Sequence, residues 1–304
     1  MIFLTLGQYE AVIGTPNPGY SALPLLMMML YSLALLGRSR LRRYCLVLAL
    51  NFLLIYTGLG LFMGVVTLGV FLIECYWTWR RMTSVPLAQP FAGLLLATAS
   101  WAPFFIHYTF VPGVECFQIP QRDLLRYAKF TGLMFAGFVV PRPLHVSPGM
   151  TVLGVTILLA AIAVLGWHLL HLLKGAGSDA HLIATVLLSY CLLFSVNASI
   201  GRLCLGFSAA FASRYVTLLI PAFLAIYFYL LSQSWQGKRN FVLALWVLLL
   251  LPAGGRISAG IPTASATGLP ATCARKMSPT VIRALTFGCI RIPNRSWISA
   301  MDLI

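Results

Sequence analysis

The feature that most constrains this chain is an apolar run from residue 44 to residue 79, in which Glu74 is the only charged residue. As a single helix this run would measure about 54 Å, whereas the hydrocarbon core of a bilayer is only ~30 Å thick. A break at residues 57–60, which contain two glycines, would divide the run into a hairpin. We therefore expect two membrane-spanning helices within this run.

The composition of the whole chain favours a bilayer as its solvent. Hydrophobic residues fill 60% of the 304 positions and charged residues only 9%, a balance too apolar for a soluble surface. In hydrocarbon every backbone polar group must be bonded within the protein, and the alternating pattern of barrel strands is missing. The predicted fold class is all-α, a polytopic helical membrane protein with about eight transmembrane helices, in a range of about seven to nine.

The positions of the spans follow from the apolar runs. The polar stretch at residues 109–148 separates them and is expected to be an external loop, with one interfacial helix near residues 124–140. The predicted spans are residues 20–36, two within 44–79, then 90–108, 150–173, 181–200 and 216–231, followed by a shorter apolar run at 241–251.

The net charge of +15 indicates topology rather than nucleic-acid binding, because the 21 basic residues form short clusters between apolar runs. Lys and Arg collect in cytoplasmic loops. The clusters at residues 38–43, 80–81 and 238–239 are therefore expected to face the cytoplasm, which places the N-terminus outside. The predicted location is the bacterial inner membrane, with membrane lipids as partners.

The composition changes abruptly near Pro252, beyond which the apolar blocks give way to Ser, Thr, Ala, Gly and Pro with scattered basic residues. We expect a polytopic membrane domain at residues 1–252. Residues 253–304 are expected to be a disordered tail, or a segment read out of the ancestral frame.

No cofactor and no metal site are expected. The seven cysteines show no CxxC spacing. His168 and His171 stand at i, i+3 spacing, but nothing nearby in the sequence completes a ligand set, so anchoring at the membrane interface is the favoured interpretation. Glu74, near the basic cluster at residues 80–81, is interpreted as an anchoring residue that reaches headgroups or pairs with a basic side chain, rather than as a proton-coupling group.

Arg202 and Arg214 flank a short loop that the predicted topology places outside. Arginine there opposes the positive-inside tendency. One interpretation is that both side chains snorkel to the headgroups. The other is a phosphate-binding site, because a guanidinium group offers a planar bidentate fork. Tyr215, which follows Arg214, belongs to the same candidate substrate-binding set.

The segment at residues 201–215 resembles a pattern of uncharacterised bacterial multispan membrane proteins: Gly-Arg, a glycine four residues later, and Ala-Ser-Arg-Tyr at the start of a span. Residues 8–10 (Gln-Tyr-Glu) and the stretches at 51–58 and 60–64 fit the same pattern. The resemblance covers about residues 3–250. Relative to that pattern, we expect a chain shortened at its start and altered after about residue 254.

Such proteins are distantly similar to polytopic glycosyltransferases that use polyprenyl-phosphate-linked sugars. The resemblance implies a role in cell-envelope glycan or lipid metabolism, with Glu10 as a candidate catalytic acid or base and the two arginines as phosphate ligands. Two alternatives stay open from the residues themselves. One is a transporter or permease subunit, and the other is a non-catalytic scaffold or gene remnant.

Overall fold

The computed structural model describes residues 22–57, 60–106, 123–140, 145–232 and 240. All regular structure in these ranges is helical, which confirms the predicted all-α class there. The α-helices are α1 (Ala22–Leu35), α2 (Arg40–Ile55), α3 (Leu61–Trp79), α4 (Ala88–Ala99), α5 (Ala102–Ile106), α6 (Leu124–Ala136), α7 (Pro148–Leu173), α8 (Asp179–Arg202) and α9 (Ser213–Ser232), and two 3-10 turns cover Leu203–Leu205 and Phe207–Phe211.

Four helical segments in the described part of the chain are long and apolar enough to cross a membrane. They are Leu61–Trp79, Ala88–Ile106, Pro148–Leu173 and Asp179–Leu205. Two shorter apolar helices cover Leu23–Leu35 and Tyr215–Leu231. The protein is thus a helical protein with several potential spans, each at a position where the sequence predicts one.

The predicted break in the long apolar run is present. Helix α2 ends at Ile55 and α3 begins at Leu61. The Thr57 hydroxyl donates to the carbonyl of Leu54 at 2.8 Å, and the Gly60 N–H donates to the carbonyl of Thr57 at 2.6 Å. A Cβ at Gly60 would collide with the Leu54 carbonyl, so the tight turn requires glycine there.

Glycines also decide how α3 meets α4. The sequence indicates that Gly60 and Gly64 help the second and third spans to pack closely. In the structure Gly60 approaches α2, but Gly64 lies against the indole of Trp101, 2.7 Å from where its Cβ would stand. Gly93 of α4, in turn, lies against the ring of Phe71 from α3. The small residues therefore admit aromatic rings between α3 and α4.

Glu74 lies buried between α2 and α3, with 6% of its surface exposed. Its carboxylate accepts hydrogen bonds from the Arg43 guanidinium, at 2.5 Å, and from the Tyr44 hydroxyl. The expected pairing with a basic residue is therefore present, although the partner belongs to the cluster at residues 38–43. Because the carboxylate is already paired, the arrangement favours anchoring of the two helices over proton coupling.

Helix α6 differs from the interfacial helix expected near residues 124–140. Its first half is largely exposed, but residues 130–136 are buried, and α7, α8 and α9 all contact it. The backbone of Gly132 lies against Gly154 of α7, where a Cβ on Gly154 would meet the Gly132 carbonyl. A segment that is apolar on every side has no face to present to water. Residues 130–136 are therefore embedded among the other helices.

Helices α7 and α8 form a hairpin, and each start is set by local chemistry. The Ser147 hydroxyl accepts from the Met150 N–H at 3.3 Å, and Pro148 occupies the first turn of α7. After Leu173 the chain turns at Gly175, whose φ of 73° favours glycine. Helix α8 then runs from Asp179 to Arg202 and brings the chain to the site described next.

Candidate functional site

The predicted site residues lie in different environments in the structure, and one of them lies outside the described residues. Glu10 lies outside the described residues. Arg202 is the last residue of α8 and is exposed. Arg214 is the second residue of α9, and the structure describes its backbone only. Tyr215 is buried, and its ring centroid lies 6.0 Å from that of Phe194. Tyr215 therefore packs inside the bundle, whereas Arg202 is exposed.

The segment that joins α8 to α9 is folded rather than a bare turn. It consists of the two 3-10 turns, and Leu203 and Phe211 are buried in the core at its two ends. Gly206 stands between the turns with φ of 86°, a conformation that other residues rarely adopt. This backbone conformation explains why a glycine, Gly206, stands four residues after the Gly-Arg pair.

Helix α6 supplies two cations that sequence reasoning did not assign to the site. The Lys129 ammonium lies 4.5 Å from the ring centroid of Phe207, and the Arg126 guanidinium carbon lies 5.9 Å from it. Phe207 opens the second 3-10 turn, and α6 contacts both turns. We call Arg126 and Lys129, together with the exposed Arg202 at the end of α8, a helix that α6 also contacts, the basic surface. Only the i, i+3 spacing of Arg126 and Lys129, which puts both on one helix face, hinted at their joint role in the sequence.

The positive charge of the basic surface has no acidic partner among the residues that the structure describes. The ion pair found there joins Arg43 to Glu74. The Asp123 carboxylate caps α6 by accepting a backbone N–H at 3.1 Å, and Asp179 lies at the opposite end of α8. The basic surface can therefore bind an anion without first breaking an internal ion pair.

Exposed leucines border the basic surface. Leu124 and Leu125, which directly precede Arg126, are 72% and 79% exposed, and Leu205 of the first 3-10 turn is 53% exposed. Cations beside exposed aliphatic side chains form an amphipathic surface, which suits the headgroup level of a bilayer.

Comparison with protein-family models, curated proteins and solved structures gives no match for this chain. The likeness to lipid-linked-sugar glycosyltransferases therefore stays a prediction.

Cys204 lies within the segment that joins α8 to α9 and is disulfide-bonded. Cys45, Cys75 and Cys191 are free thiols. The spacing of the cysteines in the sequence did not predict this bond, because the fold brings disulfide partners together from distant parts of the chain. Disulfides form and persist in oxidising compartments, which bears on the side of the membrane that this segment faces.

A second polar cluster joins the far ends of α7 and α8. His168 and His181 share a hydrogen bond of 2.8 Å between their Nδ1 atoms, and Nδ1 of His171 bonds to the carbonyl oxygen of Trp167 at 2.9 Å. His181, across the turn from α7, thus joins His168 and His171 in one cluster. Even so, the described residues contain no group of three or more His, Cys, Asp or Glu arranged to hold a metal ion.

Proposed function

We propose that this chain is a multi-pass membrane protein that binds the phosphate of a lipid-linked substrate at the end of the bundle where α8 meets α9. Its role would be glycosyltransferase-like, in cell-envelope glycan or lipid metabolism. The observation that carries the proposal is the basic surface, whose cations stand on a folded platform and lack acidic partners within the described residues. Glu10 stays the candidate acid or base from the resemblance alone.

The chemistry of arginine supports phosphate as the ligand. Arg202 is exposed at the end of α8, and a guanidinium group donates two parallel hydrogen bonds to one phosphate. Charge-assisted hydrogen bonds of this kind contribute about 1.5 to 3 kcal/mol each. Arg214, at the start of α9, is the second arginine of the proposed phosphate site.

The proposed topology has about eight spans and puts the basic surface outside. In it α1, α2 and α9 also cross the membrane, which their apolar sequences and the internal pairing of Glu74 with Arg43 support. The disulfide at Cys204 supports an outward position for the segment between α8 and α9. With the basic clusters inside, the N-terminus then lies outside.

Lipid-phosphate binding by purified protein in phosphatidylcholine nanodiscs tests the proposal, with polyprenyl monophosphate as the probe. Arg202→Gln is expected to weaken the apparent Kd about tenfold or more, because it removes a charge-assisted contact. Arg202→Lys keeps the charge but loses the fork, so it should bind with intermediate affinity. Arg214→Lys should weaken binding in the same direction.

The matched control is Arg42→Lys, which changes another exposed arginine, in the cluster at residues 38–43. It should leave the Kd unchanged. Unaltered binding by both Arg202→Gln and Arg214→Lys would show that these arginines only anchor the protein at the headgroups, and the proposed site would then be wrong.

A further inference from the structure

We infer that Arg126 and Lys129 of α6, held at Phe207, form the seat for the phosphate, and that Leu124, Leu125 and Leu205 receive the first part of its lipid chain. The site would take an anionic lipid whose phosphate is attached to an aliphatic chain. This inference rests on the proposed function for the general nature of the ligand, and it adds residues that the sequence did not assign.

The first step is the position of the two cations. Both lie within 6 Å of one ring centroid, Lys129 at 4.5 Å and Arg126 at 5.9 Å. They are therefore no farther apart than about one Debye length, ~10 Å at 0.1 M salt, so each feels the charge of the other. An anion that contacts both adds two attractions, which outweigh this repulsion.

The second step is that the pair is held in place before any ligand binds. The half of α6 that follows is buried, with Phe130 fully enclosed and Gly132 against α7. Phe207 is half-buried and belongs to a segment fixed by the buried Phe211. A preorganised pair of cations loses little conformational entropy when it binds a phosphate. The end of α6 itself is not the site, because Asp123 already caps it.

The exposed leucines beside the cations favour a lipid phosphate over a soluble phosphate. Leu124 and Leu125, next to Arg126 in the sequence, are 72% and 79% exposed, and Leu205 on the first 3-10 turn, which α6 contacts, is 53% exposed. Burying a leucine side chain contributes roughly 1.5 to 3 kcal/mol. A soluble phosphate would leave this apolar border uncovered, whereas a prenyl or acyl chain covers it.

Nanodisc binding of polyprenyl monophosphate tests the seat, with inorganic phosphate as a competitor. Lys129→Gln and Arg126→Gln are each expected to weaken the apparent Kd about tenfold. Lys129→Arg should keep most of the affinity of the parent protein, because the positive charge over Phe207 is kept. Leu125→Ser should weaken binding of the lipid but should not change binding of inorganic phosphate.

Lys174→Gln is the matched control, since it removes an exposed lysine from the turn between α7 and α8, at the other end of both helices. Its Kd should equal that of the parent protein. The melting temperature of each variant in detergent is measured alongside, so that a folding defect is not read as lost binding. A Gln variant that melts early is replaced by a second variant that also removes the charge, Lys129→Met or Arg126→Met.

The outcomes separate this inference from the proposed function. If Arg202→Gln weakens binding and the α6 variants do not, the proposed function stands and the seat is wrong. If the α6 variants weaken binding and Arg202→Gln does not, the seat stands and Arg202 only anchors. If inorganic phosphate competes at the same concentration as the lipid, the site takes free phosphate and the lipid assignment is overturned.

Discussion

At the scale of single residues, several polar side chains buried in the described part of this protein lie in pairs. Glu74 accepts from Arg43 and Tyr44, and the buried hydroxyl groups of Tyr31 and Thr67 lie 3.0 Å apart. Asn51, which has no exposed surface, donates to the Ser100 hydroxyl at 3.0 Å. Each pair lets a polar side chain remain among apolar helices, where an unpaired one would be costly.

Breaking the buried ion pair is expected to destabilise the bundle. Glu74→Gln leaves the Arg43 charge buried without a counter-charge, which typically costs about 3 kcal/mol. The measurement is the midpoint of denaturation by SDS in mixed micelles. Asp179→Asn, which alters an exposed acid, is the control and should change the midpoint little. A double variant, Arg43→Met with Glu74→Leu, should recover stability, and a failure to recover would show that the pair does more than compensate charge.

At the scale of elements, the close approach of α6 and α7 determines where the basic surface stands. Gly132 and Gly154 let the two backbones touch, and the Phe138 ring stacks on Phe223 of α9 with centroids 3.8 Å apart. These contacts embed the second half of α6. The cations of its first half are thereby placed over Phe207.

Gly154→Ala is expected to push α6 away from α7, because the added Cβ meets the Gly132 carbonyl. Overpacking of this kind costs about 1 to 3 kcal/mol. Gly166→Ala, on the same helix, is the matched control, since its Cβ would meet nothing within 4 Å. It should be neutral or stabilising by up to ~1 kcal/mol, because alanine favours helix more than glycine does. Equal effects of the two substitutions on the unfolding midpoint would contradict the proposed close contact.

At the scale of the whole molecule, the orientation in the membrane decides whether the basic surface could meet the proposed ligand outside. The basic clusters near the starts of α2 and α4 and the segment between α8 and α9 are expected on opposite sides. If the basic clusters and this segment lie on the same side, the proposed external site is wrong, although the contacts of Arg126 and Lys129 with Phe207 are unchanged.

Labelling of intact cells with an impermeant maleimide measures this orientation. In a background without the free cysteines, a cysteine at Ser208, an exposed residue of the second 3-10 turn, should react from outside. A cysteine at Ser39, before α2, should react only after the membrane is permeabilised. If Ser39→Cys reacts in intact cells, the topology is the reverse of the predicted one.

Much of the helical framework could be predicted from the sequence. The apolar runs predict helices at the positions of α1, α2, α3, α4, α7, α8 and α9, and the glycines near residue 60 predict the break between α2 and α3. These features are local, since a run of apolar residues has no favourable state outside a bilayer or a core. The local sequence also suggested Arg202 as a site residue, and that role stays a prediction.

The remaining features depended on the tertiary structure. The sequence contains Arg126, Lys129 and Phe207, but the rotation and depth of α6 decide that the three meet. The same is true of Arg43 with Glu74 and of His168 with His181, each pair on different helices. Hydrophobic pattern sets where a helix begins and ends, whereas the partners of a side chain depend on how helices cross and on which glycines allow them to touch. The sequence therefore determined the helices of this protein, and the packing of α6 against α7 decided where its charges stand.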